Sequence, residues 1–405
     1  MQVLATHPET LLQTPERHLT ALALALSLGA AISLGITRFA YGLLLPAMRT
    51  DLGWSYTLAG GMNTANALGY FLGALATPWL LRRYGASALL RVGALLASVF
   101  MALSGFFTDA SPLLLQRLLA GVASALMFVA GGVLAARLVA QDPARGGLLI
   151  GLYYGGTGVG IVLSAAVVPW VLDVTQAQMH GWRWAWWGLA APCVLASAVL
   201  LWPARVMGRW AAPPVAAGVA EMPFRWRQFG FGLAGYEMFG AGYIGYMTFV
   251  VALLRAQGSS ALAVTVFYAL LGLAVMASSR IWAGLLDRYK SGRALATLNM
   301  LLGVATILPA LTQNPVLVLA SGLLFGGVFL SVVASTTALV RHNLPPSAWA
   351  TGISAFTAVF AAGQIVGPTV VGWIADGPGG LARGLVFSAL ALWLGAGLAI
   401  RQKAL

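Results

Sequence analysis

Cysteine is almost absent from this chain of 405 residues: Cys193 is the only one, and it lies inside an apolar stretch. A disulfide within the chain is therefore impossible, and a single thiol argues against thiolate metal binding and redox chemistry. Histidine is also scarce, and its four residues fall in predicted tails or loops without forming a paired ligand set: His7, His18, His180 and His342. No GxxxxGK(S/T) sequence occurs, which argues against a nucleotide-driven pump. We expect no enzymatic activity, no metal and no cofactor.

Charged residues are also scarce in this sequence. They make up 8% of the chain against 60% hydrophobic residues, and the mean hydropathy is +0.86. Such values lie outside the range of soluble domains and indicate an integral membrane protein. The formal net charge of +13 could suggest nucleic acid binding, but the basic residues form no patch with interleaved aromatic side chains. We therefore expect the lipid bilayer as a partner and no nucleic acid.

Apolar stretches long enough to cross a bilayer occur twelve times. A helix rises about 1.5 Å per residue, so about 20 residues span a hydrocarbon core of about 30 Å. The predicted spans cover residues 20–46, 56–81, 88–107, 113–139, 148–171, 184–202, 229–254, 261–285, 294–312, 316–340, 349–374 and 382–400. The sequence therefore predicts an all-α integral membrane protein with twelve transmembrane helices.

The distribution of Lys and Arg predicts the orientation of these spans. An even number of spans places both termini on one side of the membrane. Sixteen of the 23 basic residues fall in the tails and in loops after even-numbered spans, and four fall in loops after odd-numbered spans. Cytoplasmic loops carry such an excess, so we expect both termini in the cytoplasm and a bacterial-type inner (plasma) membrane. The first 18 residues contain Glu9, Glu16 and Arg17 but no basic leader, which favours an uncleaved tail.

A proline-containing gap from Pro203 to Pro223 divides the spans into two sets of six. We predict a cytoplasmic tail, an N-terminal six-helix bundle, a cytoplasmic linker, a C-terminal six-helix bundle and a second tail, at residues 1–18, 19–203, 204–226, 227–401 and 402–405. The halves match at an offset of 205 residues, as in LLRRY at 80–84 against LLDRY at 285–289. Every third span is also shorter, which predicts inverted 3+3 repeats within each half.

Several segments resemble the major facilitator superfamily, over essentially the full chain. Residues 284–288 (GLLDR) and 81–85 (LRRYG) resemble its cytoplasmic gating motif, with Arg82 where the second copy has aspartate. Residues 117–121 (RLLAG) resemble its RxxxG motif, and residues 151–158 (GLYYGGTG) resemble its glycine-rich antiporter motif, with Gly156 where proline is usual. Residues 35–42 and 242–247 are similar to the little-characterised YbfB/YjiJ-like branch.

The resemblance implies two six-helix bundles around a central cavity, with one bundle rocking against the other to give alternating access. It also implies gating roles for Arg83, Asp287 and Arg288. Arg117 falls in the motif that the family associates with proton coupling.

Glu237 is the one acidic residue placed inside a predicted span, in the apolar run from Phe229 to Leu254. A carboxylate at a helix centre costs about 2.5–3.5 kcal/mol on insertion scales, so it is kept only where it faces protein or water. Carboxylates in low dielectric hold protons more readily, which suits a proton carrier that loads and unloads as a cavity opens to each side. The alternative is a structural hydrogen-bond or ion-pair partner within the bundle.

Three arginines also fall inside predicted spans. Arginine cannot be neutralised, so Arg38, near the middle of the first span, must meet an anion, carbonyl groups or water. It either captures a substrate carboxylate or phosphate or pairs with a neighbouring helix. For Arg117 the alternative is snorkelling to the periplasmic surface. Arg280 lies two helical turns before Asp287, which favours a structural gate network over ligand binding.

Polar side chains in other spans complete the predicted site. They either line a pathway or hold helices together through interhelical hydrogen bonds. Tyr243 and Tyr246 correspond to Arg38 and Tyr41 at the offset of 205 residues. The candidate substrate-binding residues are Arg38, Tyr41, Asn63, Asn66, Tyr70, Tyr243, Tyr246, Arg280 and Gln364, and the candidate proton-coupling residues are Glu237 and Arg117.

The sequence therefore predicts a secondary transporter, symporter or antiporter, that moves a small organic anion with a proton as driving ion and works as a monomer. Three intramembrane arginines against one acid favour the anion. One alternative is a proton-driven exporter of amphipathic drugs or cations, which the antiporter-like motif favours. The other is a membrane receptor or scaffold that moves nothing, and the cost of four intramembrane charges weighs against it.

Overall fold

The computed structural model describes residues 15–210 and 225–405. Most of the predicted N-terminal tail and most of the predicted linker lie outside the described residues. Within the described part the chain is helical and contains no strand. This agrees with the prediction of an all-α membrane protein.

Residues 15–210 and 225–405 form twelve long helices, α1 to α12, in chain order. Helix α1 comprises three consecutive segments, Pro15–Ala30, Ala31–Phe39 and Tyr41–Leu52. The others are α2 Tyr56–Tyr84, α3 Ala86–Ser104, α4 Ala110–Gln141, α5 Gly146–Val174, α6 Trp182–Gly208, α7 Gly230–Ala256, α8 Ala261–Ile281, α9 Arg293–Leu311, α10 Pro315–Asn343, α11 Trp349–Asp376 and α12 Gly380–Ala399. Shorter helical turns occur at Pro143–Arg145, Trp226–Phe229, Ala283–Arg288 and Pro346–Ala348.

Eleven of these helices are long and apolar enough to cross a membrane by length and composition, counting only the described residues. The remaining helix is α2, in which Asn63, Thr64 and Asn66 interrupt the apolar run. Those polar side chains form hydrogen bonds with other helices. Packing against its neighbours therefore stabilises α2 in the bundle, in addition to its apolar residues. The prediction of twelve transmembrane helices is confirmed.

The two halves repeat one packing pattern. In the first half α2 packs on α4, α3 packs on α4 and α6, and α1 packs on α5. In the second half α8 packs on α10, α9 packs on α10 and α12, and α7 packs on α11. Each pair recurs six helices later, which gives two six-helix bundles related as the sequence match between the halves predicts.

Backbones approach closely at glycines inside each bundle. A Cβ atom added at Gly69 would lie 1.9 Å from the carbonyl oxygen of Leu118, and one at Gly121 would lie 2.1 Å from that of Asn66. Both contacts join α2 and α4, so Gly121 of the RxxxG segment has a packing role. Gly326 makes the equivalent approach between α10 and α8, where an added Cβ would lie 2.2 Å from the Leu271 carbonyl oxygen.

Large apolar side chains are exposed on the outer helices. Each of α3, α6, α9 and α12 presents at least one: Leu95, Leu195, Met300 and Leu394. Exposed side chains of this size are costly in water and favourable in lipid hydrocarbon. The outer surface of both bundles therefore suits a bilayer.

The segment Ala31–Phe39 of α1 is a π-helix, in which backbone bonds run from residue i to residue i+5. Such turns are wider than those of an α-helix, so residues after them point in different directions from those that helical spacing predicts. Arg38 lies in this segment. α-Helical spacing would place Arg38, Tyr41 and Gly42 on one face, and the π-helical segment removes that relation.

Several helices extend beyond the predicted spans, and two helix ends change the predicted organisation. Helix α6 continues through Pro203 to Gly208, so the predicted linker begins inside a helix. Helix α8 ends at Ile281, and the chain turns at Trp282 before the short helix Ala283–Arg288. The predicted span 261–285 is therefore two helices rather than one.

The halves touch through α2 with α11, α5 with α8, and the last segment of α1 with α7. We call the end of the bundle that carries Gly208 and Gly230 the termini end and the opposite one the far end. In the described part, every hydrogen bond between the halves lies about halfway along the helices or nearer the far end. These bonds are Arg38 to Gln364, Tyr268 to Phe39, Asn63 to Thr248, Thr64 to Ile365 and Thr369, and Tyr56 and Thr57 to Asp376.

Candidate functional site

Arg38 lies about halfway through the protein. It is fourteen residues from the end of α1 at Leu52, roughly 21 Å at 1.5 Å per residue, and only 3% of its surface is exposed. Its Nη2 donates a hydrogen bond to Oε1 of Gln364 on α11, in the other half. Among the described residues this amide is the only hydrogen-bond acceptor that Arg38 meets, and no carboxylate forms an ion pair with it. The guanidinium is therefore a buried positive charge without a counter-ion in that part of the chain.

Two tyrosines lie beside this guanidinium, one from each half. The Arg38 Cζ atom lies 5.5 Å from the ring centroid of Tyr70 on α2, and Tyr243 on α7 is close enough to interact with Arg38 electrostatically. Neither hydroxyl has a hydrogen-bond partner among the described residues. Both remain free to donate to a group placed next to Arg38. The predicted residues Arg38, Tyr70, Tyr243 and Gln364 are thus brought together.

A stack of aromatic rings continues from Tyr243 in the second half. Phe360 of α11 lies nearly parallel to Tyr236, Phe239 and Tyr243 of α7, with centroid distances of 4.9, 5.4 and 5.7 Å and interplanar angles of 18°, 9° and 19°. Phe329 of α10 stacks on Tyr243 at 5.5 Å. Only Phe360 among these rings is half-buried; the others are buried.

A second aromatic group lies in the first half. Tyr70 contacts Phe128 of α4 at 6.5 Å, and Phe128 contacts Tyr154 of α5 at 5.7 Å. Tyr70 and Phe128 are half-buried and Tyr154 is 39% exposed. Both halves therefore present accessible aromatic surface near Arg38.

Arg117 is buried inside the first bundle and does not snorkel to a surface. It is 1% exposed, and it donates from Nη1 to the Thr37 carbonyl oxygen at 2.6 Å and from Nη2 to Asn63 Oδ1 at 3.0 Å. Its guanidinium lies 5.0 Å from the ring centroid of Tyr41 and 5.8 Å from that of Trp186. These contacts tie α4 to α1, α2 and α6, so Arg117 organises the first bundle.

The two asparagines of α2 form hydrogen bonds with Arg117. Asn66 donates to the Arg117 carbonyl oxygen at 3.1 Å. Asn63 accepts from Arg117 and donates to Thr248 Oγ1 of α7 at 2.8 Å, which carries the network into the other half. Both side chains form interhelical hydrogen bonds, which is one of the two roles that the sequence analysis considered for them.

The hydroxyl groups of Tyr41 and Tyr246 also form hydrogen bonds within the protein. The Tyr41 hydroxyl donates to the Ala59 carbonyl oxygen at 2.8 Å, and its ring faces Arg117 instead of Arg38. The Tyr246 hydroxyl lies 2.7 Å from Ser321 Oγ. Both side chains are at most 1% exposed, so the structure places them in the core beside the site.

Glu237 lies at the interface between α7 and α11. It is seven residues after Gly230, roughly 10 Å from the termini end at 1.5 Å per residue, so it is not at the helix centre. The α11 backbone is close, since a Cβ added at Gly363 would lie 2.2 Å from the Glu237 carbonyl oxygen. The side chain is half-buried and has no hydrogen-bond or ion-pair partner among the described residues.

The remaining predicted residues are exposed at the termini end: Arg83, Arg280, Asp287 and Arg288. The turn at Trp282 separates Arg280 from Asp287, so their spacing of seven residues does not place them on one helix face. Asp287 forms no ion pair with any described residue. The structure therefore does not bring Arg280 to Arg38, and it does not assemble a gate network around Asp287.

A cavity of about 700 Å³ lies at the far end, lined by residues of both halves. Its charged groups include Arg49, Asp51 and Arg255. The Asp51 Oδ2 atom accepts a hydrogen bond from Trp182 Nε1 and lies beside His180 Nδ1, at a distance of 2.5 Å in each case. This cavity is a surface vestibule and does not include Arg38.

Several residues at the site were missed from the sequence. Phe360 precedes the predicted residue Gln364 by four residues, and this helical spacing could have indicated that both lie on one face of α11. Tyr236 and Phe239 extend the Tyr243 stripe of α7 at helical intervals. Phe128 carried no local signal, and Tyr154 lies within the glycine-rich segment 151–158, where only the glycines were noted; tertiary packing alone brings both rings near Tyr70. Among the described residues no group of His, Cys, Asp and Glu could hold a metal ion.

Solved structures show which class of protein has this fold. A bacterial homologue of the human lysosomal transporter Spinster, inward-facing and unoccupied, matches with a TM-score of 0.67 and 15% identity, covering 96% of this chain and 99% of that one. The nucleoside transporter NupG matches at 0.71 and 14%, covering 95% and 100%, and the tetrameric PepTSo2 at 0.68 and 14%, covering 94% and 96%. The fold is that of major facilitator transporters.

A family model narrows this class. Residues 30–400 match the model described as "Uncharacterised MFS-type transporter YbfB". The chain belongs to this family of the major facilitator superfamily, as the resemblance of residues 35–42 and 242–247 predicted. The search of curated proteins returned no match.

Proposed function

We propose that this protein is a secondary active transporter of a small organic anion, and that Arg38 binds the anionic group. The buried, unpaired charge of Arg38 carries the proposal. An arginine keeps its charge under all physiological conditions, and a buried charge without a counter-ion is costly. A substrate carboxylate would supply that counter-ion, with hydrogen bonds from Tyr70 and Tyr243.

Alternating access is the mechanism that this arrangement supports. Arg38 belongs to the first half, and its present acceptor, Gln364, belongs to the second. An anion that took over the guanidinium would release Gln364, so substrate binding would weaken one bond between the halves. The other bonds between the halves lie at a similar depth or nearer the far end, and opening that end would require breaking them. Substrate sites at the membrane midplane, between two repeats, are typical of such transporters.

A proton is the coupling ion that we propose, with Glu237 as its carrier. The half-buried carboxylate has no partner among the described residues, which supports this role, because an acid inside a membrane bundle is rare and marks ion pathways. It lies against α11 one turn from Gln364, so its protonation state could alter the α7–α11 contact. Arg117 would act by holding α1 and α2 in place, since its donors are bonded to those helices.

The accessible aromatic surface also favours the second candidate, an exporter of amphipathic drugs or cations. Aromatic faces attract cations as well as rings. Arg38 argues against it, because a cationic substrate at that depth would meet an unpaired positive charge. We further propose an inner-membrane location, cytoplasmic termini and a functional monomer, as the distribution of basic residues and the complete pair of bundles in one chain suggest.

Solute-driven proton movement across liposomes tests the proposal. Purified protein is reconstituted, challenged with a panel of carboxylates and a panel of hydrophobic cations, and internal pH is recorded for wild type, Glu237→Gln and Arg38→Gln. We expect a signal for carboxylates only, lost in both variants. A carboxylate signal that survives in Glu237→Gln would make Glu237 structural. A cation signal that survives in Arg38→Gln would favour the drug exporter instead.

A further inference from the structure

We propose that the transported anion carries a planar aromatic ring, which stacks against Phe360 while its carboxylate meets Arg38. This inference rests on the proposed anion function and names its substrate class: an arylcarboxylate whose ring and acid group are joined directly or through a short chain. Three features of the residues around Arg38 support it, namely the accessibility of the stack, the separation of its end from Arg38, and the free hydroxyls of two tyrosines in the same group of side chains.

The accessible end of the aromatic stack is Phe360. Tyr236, Phe239 and Tyr243 pack nearly parallel to its ring and are themselves almost completely buried, whereas Phe360 is half-buried. Three neighbours thus fix the orientation of one partly exposed ring. A ligand that stacks on a fixed ring loses little side-chain entropy from the protein, because the ring is already ordered. Offset stacking of this kind contributes beyond the burial of area.

The ring surface lies at a suitable distance from the positive charge. Phe360 and Gln364 are four residues apart on α11, so their Cβ atoms are about 5–6 Å apart on one helix face. Gln364 is the residue that Arg38 contacts. A ligand with its carboxylate at Arg38 can therefore place a ring against Phe360 if few atoms separate the two groups.

One tyrosine lies beside the charge and a second lies against the Phe360 ring. The Tyr70 ring centroid lies 5.5 Å from the Arg38 Cζ atom, and the Tyr243 ring stacks on Phe360 with a centroid distance of 5.7 Å. The hydroxyls of Tyr70 and Tyr243 have no hydrogen-bond partner among the described residues. A carboxylate beside Arg38 would accept a charge-assisted bond from each, which is stronger than a bond between neutral groups. Tyr70 and Tyr243 come from opposite halves, so the same anion would contact both.

A matched series of acids tests the ring requirement. We would measure dissociation constants by calorimetry for benzoate, phenylacetate and 3-phenylpropanoate, and for their saturated cyclohexyl counterparts. The protein is the full chain in detergent, as wild type, Phe360→Leu and Phe356→Leu. Phe356 is the control because it lies on the same helix, also packs against Tyr236 and is buried, with 1% exposure.

We expect wild type and Phe356→Leu to bind at least one aromatic acid about three- to tenfold more tightly than its saturated partner. Phe360→Leu should bind the two members of that pair nearly equally. Equal binding of both members by wild type would overturn the ring proposal and leave the anion function standing. The proposal is also wrong if Phe360→Leu keeps the preference. If no acid of either series binds, the anion function and the ring proposal both fail.

Discussion

Replacing Gly60 with alanine should separate the two halves at the far end. Gly60 lies in the second turn of α2, and a Cβ atom there would lie 2.2 Å from the Pro368 carbonyl oxygen of α11, in the other half. Ordinary contact begins at 3.4 Å, so the two helices would have to move apart by about 1.2 Å. The adjacent residue, Gly61, offers a matched control because an added Cβ there meets nothing within 4 Å.

The size of the effect follows from the clash. Inserting a methyl group into a tightly packed contact costs about 1–3 kcal/mol, which corresponds to roughly a 5- to 150-fold change in an equilibrium constant. The cost applies only while α2 and α11 touch, so Gly60→Ala should shift the population toward states in which the far end is open. Gly61→Ala changes helix propensity in both states alike and should shift nothing.

Distances between spin labels measure this population directly. Asp109 and Gln313 are exposed at the far end, one in each half, and each can be replaced by cysteine and labelled. The single native cysteine, Cys193, is buried and would be replaced by alanine. We expect longer distances to gain population in Gly60→Ala only. Identical distance distributions for the Gly60 and Gly61 variants would refute the view that this contact holds the far end closed.

Two further substitutions test other contacts. Asp376 accepts bonds across the halves from the first turn of α2, and losing such a cap costs roughly 0.5–2 kcal/mol, so Asp376→Ala should raise the far-end-open population about 2- to 30-fold in the same spin-label experiment. Asp51→Ala is the control, since its partners lie within one half, and an equal shift there would contradict the interpretation. Arg117→Met leaves Asn63 Oδ1 without its donor and should destabilise the protein by about 1–3 kcal/mol, seen as a lower unfolding temperature in detergent. Exposed Arg82→Met should change it little, and equal unfolding temperatures for the two variants would show that Arg117 does not organise the bundle.

The architecture was predictable because membrane insertion depends on local properties. Hydropathy and length locate a span without any tertiary information, and the offset between the halves reports the duplication. The helix type was not predictable, because the π-helical segment that contains Arg38 carries no residue signature. Helical spacing would place Tyr41 beside Arg38, whereas its ring lies beside Arg117. The turn at Trp282 similarly removed the expected relation between Arg280 and Asp287.

The sequence could not separate the roles of the two buried arginines. Arg38 follows Thr37 and Arg117 follows Gln116, each in an otherwise apolar stretch, and the difference between the two arginines lies in their partners on other helices. Arg117 has two acceptors within its own half, whereas Arg38 has one, Gln364, 326 residues away in the other half. Partner sets of this kind depend on packing, which a single sequence does not encode locally. The same holds for Phe360, whose significance depends on three rings from α7.

A comparison of an acid with its amide tests whether Arg38 binds the anionic group of the substrate. The tightest-binding carboxylate and its uncharged amide are each titrated into wild type and Arg38→Gln, giving four dissociation constants. A charge-assisted bond contributes about 1.5–3 kcal/mol, so wild type should prefer the acid about 10- to 150-fold. Arg38→Gln should bind acid and amide nearly equally. If the variant keeps the full preference for the acid, another group binds the anion and Arg38 does not.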